Sequence, residues 1–199
     1  MTRTLFAGVA LLALSMTASA QTVGFSQIGS ESGWRAAETT LTRQQAEERG
    51  YTLQFSDAQQ RQENQIAAIR SFIAEGVDAI MLAPVIETGW DQVLREAQAA
   101  EIPVVIIDRN VTADESLYLT RVSSNFVHEG RLAAAWLVQA TAGQCNIVEL
   151  EGTVGSSAAR DRLRRSICRL WSPLPLRRRG CSRRWACPRA GGWAFGWSA

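Results

Sequence analysis

Residues 77–110 read VDAIMLAPVIETGWDQVLREAQAAEIPVVIIDRN, and this stretch decides the fold. Val77–Leu82 is a short, apolar, β-rich run. Thr88 is placed to cap a helix that runs to Ala100, in which Trp90, Val93, Leu94 and Ala97 recur at three- and four-residue spacing on one core-facing side. Ile102–Ile107 (IPVVII) is continuously apolar, the pattern of a strand covered by helices on both faces. A strand, a helix and a second strand in immediate succession form a crossover unit, which joins parallel strands.

The same alternation extends outward in both directions. Upstream, Thr22–Gln27 predicts a strand and Gly29–Gly33 a loop. Residues 34–49 predict a helix with Trp34, Ala37, Leu41 and Ala46 facing inward, stopped by Gly50. Tyr51–Ser56 predicts the second strand. Asn64–Glu75 predicts a helix with Ile66, Ile69, Phe72 and Ile73 inside, ended by Gly76. Downstream, Leu117–Val122 predicts a fifth strand, Asn125–Thr141 a helix ended by Gly143, and Cys145–Leu150 another strand. The predicted fold class is therefore α/β, a parallel doubly wound sheet with helices on both faces. Such sheets bind ligands beyond the carboxyl ends of their strands. That places the search in Ser26–Arg35, Asp57–Gln60, Ala83–Trp90, Asp108–Asn110, Ser123–Asn125 and Glu151–Arg162.

Those loops lack the signatures of several chemistries. The first reads SQIGSESGWRAAE and has neither G-x-G-x-x-G nor G-x-x-x-x-G-K-S/T, so it is no phosphate cradle. The single His, His128, lies in a helical pattern beside Glu129 without a nucleophile partner and reads as a solvated helix residue. Ser123 and Ser124 lack a G-x-S-x-G context. No His, Cys or carboxylate cluster has metal-ligand spacing. No catalytic residue, metal or cofactor is expected.

Asp108-Arg109 directly follows the most apolar strand, so both side chains are expected at the ligand edge. A carboxylate accepts hydrogen bonds from hydroxyls and a guanidinium donates a rigid fork of them. A sugar needs both. Trp34-Arg35 opens the first helix at the same edge, and an indole face suits the C–H face of a sugar ring. The plainer alternative is a surface ion pair for Asp108-Arg109 and a core position for Trp34.

Length, charge and the N-terminus add context. The 46% hydrophobic content of the 199 residues excludes a mostly disordered chain. The net charge of +2 conceals a split. Residues 1–163 hold all 19 acids against twelve arginines, a balance of −7, while residues 164–199 hold nine arginines and no acid. Met1–Ala20 has a basic start, an apolar run from Leu5 to Met16 and Ala18-Ser19-Ala20, the pattern of a secretory signal cleaved before Gln21. A membrane anchor would need roughly 20 apolar residues.

The stretches TVGFSQIGSESGWRAAE, DAQQRQENQIAAIRSFIAEGVDAIMLAPV, IPVVIIDR and VELEGTVGSSAARDR resemble the periplasmic sugar-binding proteins of ABC transporters. The resemblance is nearest the galactofuranose-binding branch, close to the ribose binders, and runs from Thr22 to about Arg162. It implies two α/β lobes that close on the ligand like a hinged clamp. Residues 21–124 would be the incomplete N-terminal lobe and 125–163 the start of the second. By position, the resemblance implies ligand contacts from Trp34, Arg35, Asp108, Arg109 and Arg162, with Ser32 and Asp57 as weaker candidates. Arg35 stands where ribose binders carry an aromatic residue. The implied protein is a periplasmic monomer that binds a monosaccharide and delivers it to an inner-membrane permease. It is no enzyme and takes no nucleic acid.

The family pattern stops after Arg162. Residues 164–199 carry four of the seven Trp, three of the four Cys and three of the five Pro, without periodicity. The absence of Lys throughout suggests GC-rich codons, which read out of frame give Arg, Pro, Gly, Ala, Cys and Trp. A frameshift near codons 163–168, an unstructured aberrant tail and weak or absent sugar binding are the resulting expectations. Two other functions are weighed. An α/β enzyme acting on a sugar or nucleotide would have only Asp57 and Asp108 at its strand ends. A nucleic-acid binder would use the Arg-rich tail and show salt-dependent affinity.

Overall fold

The computed structural model describes residues 20–142, 150 and 152–164. The expected secretory signal (Ala20 apart), the strand expected at Cys145–Leu150 (Leu150 apart) and the tail beyond Arg164 lie outside the described residues.

Five parallel strands form one sheet: β1 (Thr22–Gln27), β2 (Thr52–Asp57), β3 (Ala79–Leu82), β4 (Val104–Ile107) and β5 (Thr120–Val122), in the order β2-β1-β3-β4-β5. The helices are α1 (Gly33–Glu48), α2 (Gln62–Glu75), α3 (Asp91–Ala99), α4 (Phe126–Thr141) and α5 (Ser157–Arg164). The chain moves one way from β1 to β2 and then reverses to reach β3. Right-handed crossovers therefore put α1 on one face and α2 and α3 on the other. In agreement, α2 packs against α3, while Arg43 of α1 lies 4.2 Å from the centre of the Phe55 ring on the opposite face.

The two faces are unequally covered. Ile80, Leu82, Val104 and Ile106 face α2 and α3, meet Ile69, Phe72, Val93 and Leu94, and are 1% exposed or less. Burying one such side chain contributes about 1.5–3 kcal/mol. On the α1 side the enclosed cluster among the described residues is Phe25, Ile28, Ala83 and Val85, and Leu53, Phe55, Met81 and Ile107, packed against it, are half-buried. β4 shows the difference along its length, with Val104 and Ile106 buried toward α2 and α3 and Val105 and Ile107 half-buried on the other face.

Two buried polar groups shape the loop after β3. Gln65 is fully buried; its Oε1 accepts from Val85 N at 2.9 Å and its Nε2 donates to Ala83 O at 2.6 Å. Trp90 is also fully buried and its Nε1 donates to Ile86 O at 2.7 Å.

Three local expectations need correction. On α1 three of the four residues expected inside are outside: Trp34 and Leu41 are 57% and 58% exposed and Ala37 is exposed, while Ala46 is buried as expected and Arg35 is buried as well. Thr88 caps nothing; α3 begins at Asp91 after Trp90, and Thr88 O accepts from Gln62 Nε2. The fifth strand is only Thr120–Val122, because Glu115–Leu117 closes a 3-10 turn capped by Asp114.

Candidate functional site

The carboxyl end of β4 turns sharply. Asp108 has φ +62°, Arg109 N donates back to Ile107 O at 2.7 Å, and Asp108 N donates to Val122 O at 2.8 Å. Asp tolerates this left-handed backbone better than most residues, since its short polar side chain bonds locally. The turn aims the Asp108 carboxylate toward the start of α1. There Ser32 caps the helix by accepting from Arg35 N at 3.2 Å, which fixes the first turn and the direction of Arg35.

Arg35 is 3% exposed and lies among three carboxylates. Its Nη2 donates to Asp108 Oδ2, its Nη1 donates to Glu38 Oε2 at 2.8 Å, and its Nε is 3.7 Å from Glu31 Oε1. Gln27 Nε2 donates to Glu38 at 2.8 Å, so the end of β1 joins the same network. Trp34 stands exposed beside it, its ring centre 4.7 Å from the Arg35 guanidinium carbon.

Arg109 is 2% exposed. Its Nη1 donates to Val85 O at 3.1 Å, and its Nε lies 3.7 Å from Asp108 Oδ2. Burial, and then the charge of Arg35, push this guanidinium below its ordinary value; Asp108 and Glu31 oppose that, and Arg162 adds to it. A guanidinium nevertheless remains a cation. Arg109 Nε, Asn110 Oδ1 and Ser156 Oγ are buried without a hydrogen-bond partner among the described residues. The edge thus concentrates unused donors and acceptors where one carboxylate meets two guanidinia.

Arg162 lies on α5 and its side chain meets α4. Its Nε donates to Glu129 Oε2 at 2.9 Å and its guanidinium lies 4.5 Å from the centre of the Phe126 ring. The structure therefore brings Trp34, Arg35, Asp108 and Arg109 together, with Arg162 close enough to act on Arg109 through its charge. Ser32 contributes through its cap. Asp57 is separate: its Oδ1 accepts from Gln59 N at 2.8 Å in a local turn. Three strand spacings separate β2 from β4, about 14 Å. His128 is exposed on α4.

Glu31, Glu38 and Gln27 escape the sequence reading, although Glu31 and Glu38 stand four before and three after Arg35, the helical spacing for ion pairs. No group of three His, Cys, Asp or Glu among the described residues is arranged to hold a metal. No helix among them is long and apolar enough to cross a membrane. A shallow groove of about 680 Å³ between β2 and α2, lined by Gln54, Ser56, Ser71, Phe72 and Glu75, lies away from the arginine–aspartate cluster.

A sequence model of the periplasmic binding protein domain matches residues 23–166. The galactofuranose-binding protein YtfQ of Escherichia coli is 59% identical over 143 residues, which are 71% of this chain and 45% of that protein. The periplasmic binding protein of the arabinose ABC transporter from Shewanella sp. ANA-3, solved with α- and β-L-arabinofuranose, is 58% identical with a TM-score of 0.71, over 73% of this chain and 48% of that one. A Mycobacterium smegmatis structure in complex with β-D-fucofuranose is 49% identical with a TM-score of 0.71, over 73% and 49%. The chain spans about half the length of the relatives it matches.

Proposed function

This chain belongs to the periplasmic binding protein family, and on that premise we propose that it carries the furanose-recognition edge of a sugar-binding component of an ABC transporter. The observation that carries the reading is the convergence of Arg35, Asp108 and Arg109 beside exposed Trp34 at the carboxyl edge of a parallel sheet. Each sugar hydroxyl both donates and accepts. Asp108 supplies acceptor lone pairs, Arg109 Nε and the second guanidinium supply donors, and the Trp34 indole supplies an apolar face for ring C–H groups. The three named relatives bind or carry five-membered-ring sugars or arabinose, which supports a furanose over a pyranose ligand.

In this reading residues 21–124 form the first lobe and 125–163 begin the second, with Arg162 as its contribution. The protein acts in the periplasm after export, as a monomer that passes its sugar to a permease. An enzymatic role is unsupported, because Asp57 and Asp108 are three strands apart and Asp108 is engaged by both arginines.

The test is ligand-observed NMR and calorimetry of residues 21–199 with L-arabinofuranosides, galactofuranosides and matched pyranosides. With contacts from one edge and Arg162 alone, affinity is expected near millimolar, about −4 kcal/mol. Furanose binding that disappears in Asp108→Asn supports the site, since Asn also tolerates the left-handed backbone. Equal binding by wild type and that variant, or a preference for pyranosides, overturns it. Micromolar affinity would contradict the expectation of weak binding.

A further inference from the structure

Helix α5 is fastened to the sheet edge through Glu87 and Asn110, neither of which bonds to the side chains of Arg35, Asp108 or Arg109 among the described residues. Glu87, in the loop after β3, is the hub. Its amide donates to Gly155 O at 3.0 Å, and its carbonyl accepts from Thr112 N and Oγ1 at 2.7 and 3.1 Å. Its carboxylate receives Arg160 Nη1 of α5. Beside it, Asn110 N donates to Ser157 Oγ at 2.7 Å. Gly155 has φ +83°, and a Cβ there would lie 3.2 Å from Ile86 Cγ2, so the turn before α5 lies flat on this loop. Ser156, Ser157 and Ala158 are each 2% exposed or less, which makes the start of α5 its most enclosed part.

Arg160 and Arg162 are two residues apart on a helix and so point to opposite sides. One holds Glu87 beneath the sheet edge; the other holds Glu129 of α4. We infer that Glu87 and Arg160 are positioning residues, a latch that docks α5 on the strand ends and so sets Arg162 beside Asp108-Arg109. They touch no ligand in this scheme. The inference deepens the sugar-binding reading and rests on it for the role of Arg162, but not for the docking itself. Asp161 also pairs with Arg160, through Nε at 3.0 Å, while Nη1 serves Glu87, so both carboxylates hold the guanidinium at once.

Amide hydrogen exchange on residues 21–199 without sugar tests the docking. The Glu87 and Asn110 amides report it directly, because their acceptors lie on Gly155 and Ser157. Arg160→Met and Glu87→Gln are each expected to speed both amides about two- to fivefold, the scale of one part-exposed, solvent-screened ion pair. Amides of α2 should not change. The swapped pair Glu87→Arg with Arg160→Glu should recover most of the protection. Unchanged exchange in both single variants overturns the latch, as does a swap no better than the singles. Should Arg160→Met lose α2 protection and so fail to fold, Ser157→Ala decides: faster exchange at both amides supports docking, and none refutes it. Furanose titration of the same variants then separates the two readings. A wild type that binds no furanose overturns the millimolar expectation for this half-length chain while the exchange data still judge the latch. Faster exchange with unchanged furanose affinity refutes the placement of Arg162.

Discussion

Replacing Gly130 by Ala is the sharpest test of how α4 and α5 pack. Phe126, Gly130 and Ala134 are the buried positions of α4, one every fourth residue, and form the seam against α5. A Cβ built at Gly130 would sit 2.2 Å from Arg162 O and 3.0 Å from its C and Cα. Ordinary contact begins near 3.4 Å, so the helices must part by about 1.2 Å. These neighbours are backbone atoms and cannot rotate aside. In a solvated helix Gly→Ala gains about 1 kcal/mol in propensity. Overpacking costs about 1–3 kcal/mol, and a clash with backbone belongs at the upper end. The net expectation is a loss of about 1–2 kcal/mol in helix pairing, a factor of roughly 5–30. Amide exchange of Arg160, whose N–H bonds to Ser156 O, and of Asn110 should rise together, while α2 and α3 hold. A higher melting temperature with unchanged α5 protection would refute the packing argument, since propensity alone would then account for the result.

Three further outcomes follow from single sites. Gln65→Leu keeps the volume but strands the Val85 amide and Ala83 carbonyl; chemical denaturation should show a loss of about 2–3 kcal/mol, and a loss below about 0.5 would mean the loop re-pairs itself. Trp34→Ala should weaken furanose binding about three- to tenfold with an unchanged melting temperature, because the side chain is exposed; a stability loss without an affinity loss would make Trp34 a packing residue. The Glu96 carboxyl is held below its ordinary range chiefly by the hydrogen bond from Arg70. Its folded pKa is lowered, so the stability it adds is present above the ordinary carboxylate pKa and fades as pH falls through the lowered value. Glu96→Gln should flatten that acid limb slightly, and molar salt should shrink the difference; an unchanged acid limb would show the pair contributes nothing.

The sequence made the strands, the helix order and the Asp108-Arg109 edge legible because those features are local. The runs at 79–82 and 104–107 are apolar, TVGFSQ at 22–27 is short and β-rich, and α3 carries a clean inward stripe of Val93, Leu94 and Ala97. The reading failed at α1, where hydrophobicity misleads. Its N-terminal half turns Arg35, Glu38 and Thr39 toward the strand ends and leaves Trp34 and Leu41 outside, since the sheet edge there needs ion pairs more than apolar surface. The Thr88 cap failed because the chain turns at Gly89, φ +84°, before α3 starts after Trp90, and Gln62, 26 residues away, holds the Thr88 carbonyl. The Glu87–Arg160 pair spans 73 residues and has no local signature.

The order β2-β1-β3-β4-β5 also has a kinetic side. β1, an interior strand paired on both sides, is the first to be synthesised. Val23 waits for Leu53 on one flank and Ala79 on the other. At about 5–20 residues per second, roughly 3–11 s separate β1 from the arrival of β3. Every pairing in the sheet spans an intervening helix or loop segment, so no hairpin can shelter an early strand. The strand made first is enclosed late, and the rate at which this chain matures is set by its long-range closures rather than by the formation of any one helix.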